Sequence, residues 1–450
     1  MNYNDKIKHL IDNIIGDMAI NKEGYVKNPG VDFTRDRKLP FEMVIKLVLS
    51  MKGNTLNKEL YDFFGRNPEE IVTSSAFIQQ RDKLNDNVFV DLFHRFNESM
   101  TDMRTFRGYK LYAVDGSDIN IAYDEQADTY MKPQKIKKDG EFSKGYNQYH
   151  LNAIYDILNK IYVEASLTPK PTTNERAAFI NILEDMNLTS KTLFIADRGY
   201  PSWNMLTHFK YKKNADYLIR VPHSSVGLMT EIPMAELDIT KEIKITTNHY
   251  YKGSDEYTFI NTRKGKQKNR VYKEQLAEGT KYKQWDFGMY ETLEVRIVRF
   301  KITEDTYETI YTSLPRDKFS LEDIKMLYGM RWGIETSFRE LKYIIGLTNL
   351  HSKKDNFVRQ EIFAKLTMYN FCERIISSVV VEQDEGRKYK YQVNYTMAMT
   401  VCLDFYRAFV DTADVYDLIL KYIEAVKPGR SDKRKMKPKG FVCFTYRVAA

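Results

Sequence analysis

Tyr328, Arg331, Glu335 and Lys342 stand within fifteen residues of one proline-free stretch, YGMRWGIETSFRELK. Apolar residues recur around them at helical spacing: Leu327, Met330, Ile334, Phe338, Leu341 and Ile345. At roughly 100° per residue these six form one stripe about 80° wide, and the four polar residues line its edge within about 60° of arc. Glu340 points away from that row. A carboxylate beside two cations suits a metal ion next to a phosphate. The guanidinium can grip phosphate oxygens in pairs and the ammonium acts as a point charge. The phenol can donate a hydrogen bond to the phosphate backbone. A solvated polar flank on an ordinary helix has the same composition, so the chemistry requires partners from elsewhere in the chain.

Two aspartates supply them. Asp115 follows the apolar run LYAV, and Asp197 follows LFIA. Each reads as the end of a buried strand before a turn glycine, where a rigid element presents the carboxylate at the sheet's edge. Asp118 competes with Asp115, which is preferred because it abuts the apolar run. Asp115, Asp197 and Glu335 together offer hard oxygen ligands without cysteine or clustered histidine, which suits Mg²⁺ or Mn²⁺ over zinc. Two such ions, roughly 3.5–4 Å apart, clamp the attacking and leaving oxygens of an in-line phosphoryl displacement.

The elements that must hold these residues are legible along the chain. The first hundred residues read as helices. One carries Ile7, Leu10, Ile11, Ile14, Ile15 and Met18, and another, PFEMVIKLVLSM, has proline near its first turn. TLNKELYDFFG stops at Gly65, and TSSAFIQQRDKL opens on capping residues and carries Gln79, Gln80, Arg81 and Lys83. The last two could form a helix-turn-helix, although a small helical bundle with a polar surface is the favoured reading. From Lys110 strands alternate with helices. HLNAIYDILNKIYVEASL gives two strands around Leu158-Asn159-Lys160, Asn174 caps a helix, and KTLFIADRGYPS is a further strand. This pattern indicates α/β layers. Residues 222–314 are strand-rich, with a basic hairpin-like TRKGKQKNRVYK. Helices resume through FVRQEIFAKLTMYNFCERIISSVV, YTMAMTVCLDFYRAFV and DVYDLILKYIEAV. The chain closes on KPGRSDKRKMKPKGF, with seven Lys or Arg against one Asp, read as a basic arm.

Bulk composition narrows the class. The formal net charge is +8, which points to an anionic partner, nucleic acid first. Three cysteines, Cys372, Cys402 and Cys443, lie far apart without metal-site or disulfide spacing. A reducing, cytoplasmic setting fits them. The N-terminal stretch lacks the pattern of a secretory signal, and no apolar run approaches the 18 residues expected of a membrane span.

The spacing Tyr328-x2-Arg331-x3-Glu335-x6-Lys342 resembles the signature of the IS4-type family of DDE transposases. VDGSD around Asp115 and ADRGY around Asp197 resemble that family's two aspartate segments, and KGYNQYHLNAIYD and NERAAF its intervening blocks. The likeness runs from about Lys110 to Lys342. It implies an RNase H-like core interrupted by a β-rich insertion. The division it implies is a helical DNA-binding region at 1–108, core at 109–221, insertion at 222–314, core again at 315–380, and a helical C-terminal region with a basic tail at 381–450. By the same resemblance Asp115, Asp197 and Glu335 bind two Mg²⁺ or Mn²⁺ ions, and Tyr328, Arg331 and Lys342 grip DNA. Tyr307 and Tyr311 are the nearest aromatics for stacking on a flipped base. The implied activity is cut-and-paste transposition of the protein's own insertion element, with double-stranded DNA as partner and a homodimer on the DNA, in a prokaryotic, nucleoid-associated setting. The alternatives are a nuclease that cuts without joining and a domesticated, catalytically silent DNA-binding protein.

Overall fold

The computed structural model describes residues 2–35, 37–133, 144–222, 235–262, 285–304 and 306–427. Five helices open the chain: α1 (Tyr3–Ile20), α2 (Phe41–Ser50), α3 (Leu56–Phe63), α4 (Ser74–Arg81) and α5 (Val88–Glu98). Strands β1 (Lys110–Ile121), β2 (Tyr130–Met131), β3 (Tyr146–Asp156) and β4 (Ile161–Pro169) follow. Then come α6 (Glu175–Asp185), β5 (Thr192–Ala196), α7 (Trp203–Tyr211) and β6 (Ala215–Val221). Strands β7 (Leu237–Thr246), β8 (Thr258–Phe259), β9 (Tyr290–Thr303) and β10 (Thr306–Thr312) precede α8 (Leu321–Met330), α9 (Trp332–Tyr343) and α10 (Asp355–Ile376). The chain continues through β11 (Tyr391–Val393), α11 (Tyr395–Tyr406), α12 (Thr412–Lys421) and β12 (Ile423–Ala425).

Among the described residues ten strands form one sheet in the order β2-β3-β1-β5-β6-β10-β9-β7-β8, with β4 paired on β3. β1, β5 and β6 run parallel, joined by crossovers that carry α6 and α7, and β3 runs antiparallel to both β1 and β4. The strand-rich stretch after β6 extends this sheet, because β10 pairs antiparallel with β6 from Thr309↔Val221 onward. Alternation along β1 divides its side chains between two cores. Leu111, Ala113, Ile119 and Ile121 face a core shared with the N-terminal helices and α8 to α11. Tyr112 and Val114 face a core shared with α6, α7 and β9.

Local chemistry accounts for many of these boundaries. Thr55, Thr73, Asn174 and Ser320 each accept a main-chain N–H in the first turn of the helix they precede. Gly65, at φ 59°, follows the end of α3. Four expectations need correction. β1 runs unbroken through Asp115-Gly116, so Asp115 sits inside a strand and not before a turn. The signature helix is broken at Arg331, which ends α8 and begins α9, so the single-helix projection does not hold across it. The segment YIEAV, read as helix, instead gives β12, which pairs with β11. Gln80 and Arg81 are buried, leaving Gln79 as the exposed polar residue of that trio on α4. The basic stretches after Thr262 and after Lys427 lie outside the described residues. Among the described residues no helix is long and apolar enough to cross a membrane.

Candidate active site

Register brings the two aspartates together. The parallel pairing of β1 with β5 ends at Val114↔Ala196, so Asp115 and Asp197 each stand one residue beyond the last pair, where the strands part. Adjacent strands lie about 4.8 Å apart. Alternation turns both residues away from the core that holds Val114 and Ala196, toward the face that α9 covers. Asp197 directly follows fully buried β5, as its sequence implied, and its Oδ1 accepts the Gly199 N–H at 2.7 Å. Glu335 lies in the first turn of α9. Gly333 of α9 faces β3, where an added Cβ would rest in ordinary contact, 3.7 Å from the Tyr155 ring.

Arg331 stands between two of the three carboxylates. Its guanidinium is 2.7 Å from Glu335 Oε1 and 3.8 Å from Asp115 Oδ2. Burial pushes the Asp115 carboxyl up, and despite Arg331 and the Gly116 N–H it rests at about 6, with Asp197 and Glu335 adding repulsion. Among the described residues no three His, Cys, Asp or Glu side chains are gathered as a ready metal-ligand set. The donors nevertheless fit a hard dication in kind. They are carboxylate oxygens whose repulsion a cation would relieve, and a guanidinium supplies that positive charge here.

The remaining signature residues divide. Tyr328 is buried, and Arg331 lies 5.8 Å from its ring centre. Burial raises its hydroxyl pKa. Lys342 donates from Nζ to the main-chain carbonyl of Asp118 at 2.7 Å, tying the end of α9 to β1. The Asp118 side chain points to the opposite face from Asp115 and is held by His150 at 2.6 Å and Lys170 at 2.7 Å. Burial would raise the Asp118 pKa, but those two cations outweigh it and hold it at about 2. Tyr311 is only 5% exposed and stacks on Trp203, which removes it as a surface for a base, whereas Tyr307 is half-buried.

Residues 106–371, more than half of the chain, match the family model described as "Transposase DDE domain". The chain belongs to the transposase DDE domain family. Over 67 residues it is 39% identical to the protein InsL of insertion sequence element IS186A from Escherichia coli strain K12, covering 15% of this chain and 18% of that one. The transposase for insertion sequence element IS421 of Escherichia coli matches with the same identity and coverage. The matched stretch thus spans 18% of the length of these curated relatives. The solved piggyBac transposase synaptic complex with hairpin DNA aligns over 97% of this chain and 86% of that one, at a TM-score of 0.43 and 11% identity.

Within this DDE domain the structure adds residues that spacing did not single out. Tyr200, buried at 1% exposure, lies where Asp115, Glu175 and Asp197 all act on its hydroxyl, which burial holds well above its ordinary pKa. His150, 3% exposed, bridges Asp118 on Nδ1 to Glu175, 3.2 Å away, on Nε2. Burial lowers the imidazole pKa, but the two carboxylates outweigh it and raise it. Trp332 is 62% exposed beside Arg331, a surface on which an unpaired base can stack. The quoted blocks ADRGY and KGYNQYHLNAIYD contain Tyr200 and His150, but no local pattern announces their partners.

The same geometry explains the glycine of VDGSD. A Cβ on Gly116 would sit 2.2 Å from His150 Nε2 and 2.7 Å from Cε1. The imidazole is buried and held through Nδ1 by Asp118, which limits its retreat. Gly116→Ala therefore destabilises the fold by about 1–3 kcal/mol, read as a lower urea midpoint at unchanged m. An unchanged midpoint shows that the imidazole yields freely.

Proposed function

We propose that the chain is a DNA transposase: a divalent-metal-dependent enzyme that cleaves the ends of its own insertion element and transfers the strands by cut-and-paste transposition. The observation that carries this reading is the register that leaves Asp115 and Asp197 adjacent at the parting of two parallel strands, with Glu335 on the helix above. The order β4-β3-β1-β5-β6, with only β3 running against the other four, supports an RNase H-like core. The strands from β7 to β10 would be its β-rich insertion, and the terminal helices would contribute DNA contacts. Family membership supports DNA as the partner.

Asp115, Asp197 and Glu335 would hold two Mg²⁺ or Mn²⁺ ions, which supply Lewis-acid stabilisation of the attacking and leaving oxygens. Three carboxylates would hold the site's net charge near balance against a phosphodiester. Arg331 keeps its positive charge, because Glu335, Tyr328 and Asp115 outweigh the effect of its burial. On binding it would move from the carboxylates to a phosphate oxygen. Tyr328 would orient that guanidinium through its ring. Lys342, whose pKa burial lowers, would offer its ammonium to a neighbouring phosphate. Two ends cut in concert would call for a homodimer on DNA.

The test is strand cleavage by the purified chain on DNA carrying the inverted repeats that flank its reading frame. Specific nicks at the repeat ends in Mg²⁺ or Mn²⁺, with joining to a target, are expected. Binding of the repeats without any cut in either metal defeats the enzymatic reading. Lys342→Ala should also lower the slope of log affinity against log salt by about 0.9, the value for one phosphate contact. An unchanged slope removes Lys342 from the DNA interface.

A further inference from the structure

A cavity of about 620 Å³ opens against a different face of α9 from the one that carries Glu335. Gly333, Thr336 and Glu340 form its α9 wall, and β3, α10 and the start of α11 close it. We propose that this cavity binds a small organic cation through an alkylammonium group, received by the carboxyls of Glu340 and Glu373 and flanked by the rings of Tyr155 and Tyr395. The site is separate from the carboxylates assigned to DNA chemistry and stands whether or not the chain cuts DNA.

Glu373 carries most of the case. It lines the cavity from α10 at 1% exposure, and among the described residues neither carboxyl oxygen has a hydrogen-bond partner of bonding geometry, the nearby Tyr369 hydroxyl being given to Glu340. A carboxyl buried without a partner is costly, and the cavity beside it gives an entering donor access to its oxygens. Glu340, 9% exposed, lies on the facing helix and receives one bond, from the Tyr369 hydroxyl at 3.0 Å. Burial lifts Glu373 to about 8, and Glu340 adds to the rise against the pull of Lys160 and Tyr369. A cation placed between the two carboxyls would relieve that repulsion.

The lining also selects among ligands. An anion finds no cation at depth, because Lys160, bonded to the Tyr395 hydroxyl, and Arg339 are both exposed residues. A metal ion lacks donors, since among the described residues no three ligating side chains gather here. A neutral apolar molecule would leave both oxygens of Glu373 unpaired. An ammonium on an alkyl stem satisfies the carboxyls, and tyrosine faces are suited to the cation and its methylenes.

Calorimetric titration of the full chain with 1,5-diaminopentane at pH 8 tests the proposal, with 1-pentanol as the uncharged control. Nα-acetyl-lysine methylamide, run in parallel, distinguishes a peptide lysine from a free amine as the source. Saturable binding of either amine at one per chain, with none of pentanol, is expected. Glu373→Gln should weaken it by at least tenfold, as loss of a charged hydrogen bond requires. Thr336→Trp, an exposed substitution on the cavity wall, should block it sterically and keeps the test open should the first variant fail to fold. The absence of saturable binding by both amines overturns the proposal, as does undiminished binding by Thr336→Trp or by a folded Glu373→Gln.

Discussion

Asp197→Asn and Glu335→Gln each leave a folded protein that still binds its element ends but cuts them on the order of 10³-fold more slowly, about 4 kcal/mol of barrier. Both replacements keep the shape of the side chain and one carbonyl oxygen. What they remove is a negative charge. Asp197 stands beyond the end of β5, and among the described residues its carboxylate accepts only the Gly199 N–H, so its loss disturbs little of the fold. Glu335 is part-exposed on α9 and pairs with Arg331, so its loss frees a guanidinium that can reach phosphate. Binding is therefore preserved or strengthened while cleavage falls. Thermal melts beside a gel assay of nicked element ends separate the two effects. Cleavage within a few-fold of wild type by either variant shows that its carboxylate holds no metal.

Asp118 supplies the internal control. Its carboxylate faces the opposite side of β1 from Asp115 and is committed to His150 and Lys170. Asp118→Asn should reduce stability, with much less effect on cleavage by the protein that remains folded. If Asp118→Asn abolishes cleavage and Asp115→Asn does not, the two aspartates exchange roles.

Much of this arrangement is written locally. The apolar run Leu193–Ala196 announces a buried strand and so fixes Asp197 on its tip. Caps at Thr55, Thr73 and Asn174 announce helix starts through hydrogen bonds made within one turn. The site's remaining features depend on partners distant in sequence. Asp115-Gly116 reads as a turn because Asp-Gly usually is one. It is strand here because β3 pairs with β1 beyond it, and the glycine is demanded by an imidazole more than thirty residues away. Arg331 reads as one position of a continuous helix, yet contacts with Glu335 and Asp115 coincide with a break in it. Arg81 reads as a surface residue of a possible recognition helix. Only α10, which arrives some 280 positions later, makes it a core residue.

That burial makes Arg81 the position with the largest expected effect on stability. Arg81 is 2% exposed and donates to Gln360 at 2.8 Å, to Glu361 at 2.9 Å and to the Phe357 carbonyl at 2.7 Å, all on α10. Glu361, 1% exposed, also accepts the His351 N–H at 2.8 Å. Arg81→Met keeps the volume and removes the charge, leaving a carboxylate buried without its principal partner. The expected cost is about 3–5 kcal/mol, measured as a fall in the urea midpoint. Adding Glu361→Leu should recover much of it, since removing both charges also removes the desolvation they carry. The effect has a definite pH dependence. Burial pushes Glu361 up, but Arg81 and His351 outweigh it and hold it at about 2, below its unperturbed 4.5. A depressed carboxylate stabilises the native state above its unfolded pKa, and that contribution is lost as pH falls from 4.5 toward 2. His351, raised by Glu361 and Glu59 against its own burial, works in the other direction and loses its contribution as pH rises past its unfolded value of 6.5. In Arg81→Met the native Glu361 takes up its proton more readily, so the penalty is small near pH 3 and grows through pH 4.5. A penalty that stays constant from pH 3 to pH 6 places the cost elsewhere, in lost packing on Phe357, and removes the ion pair as the tie between α4 and α10.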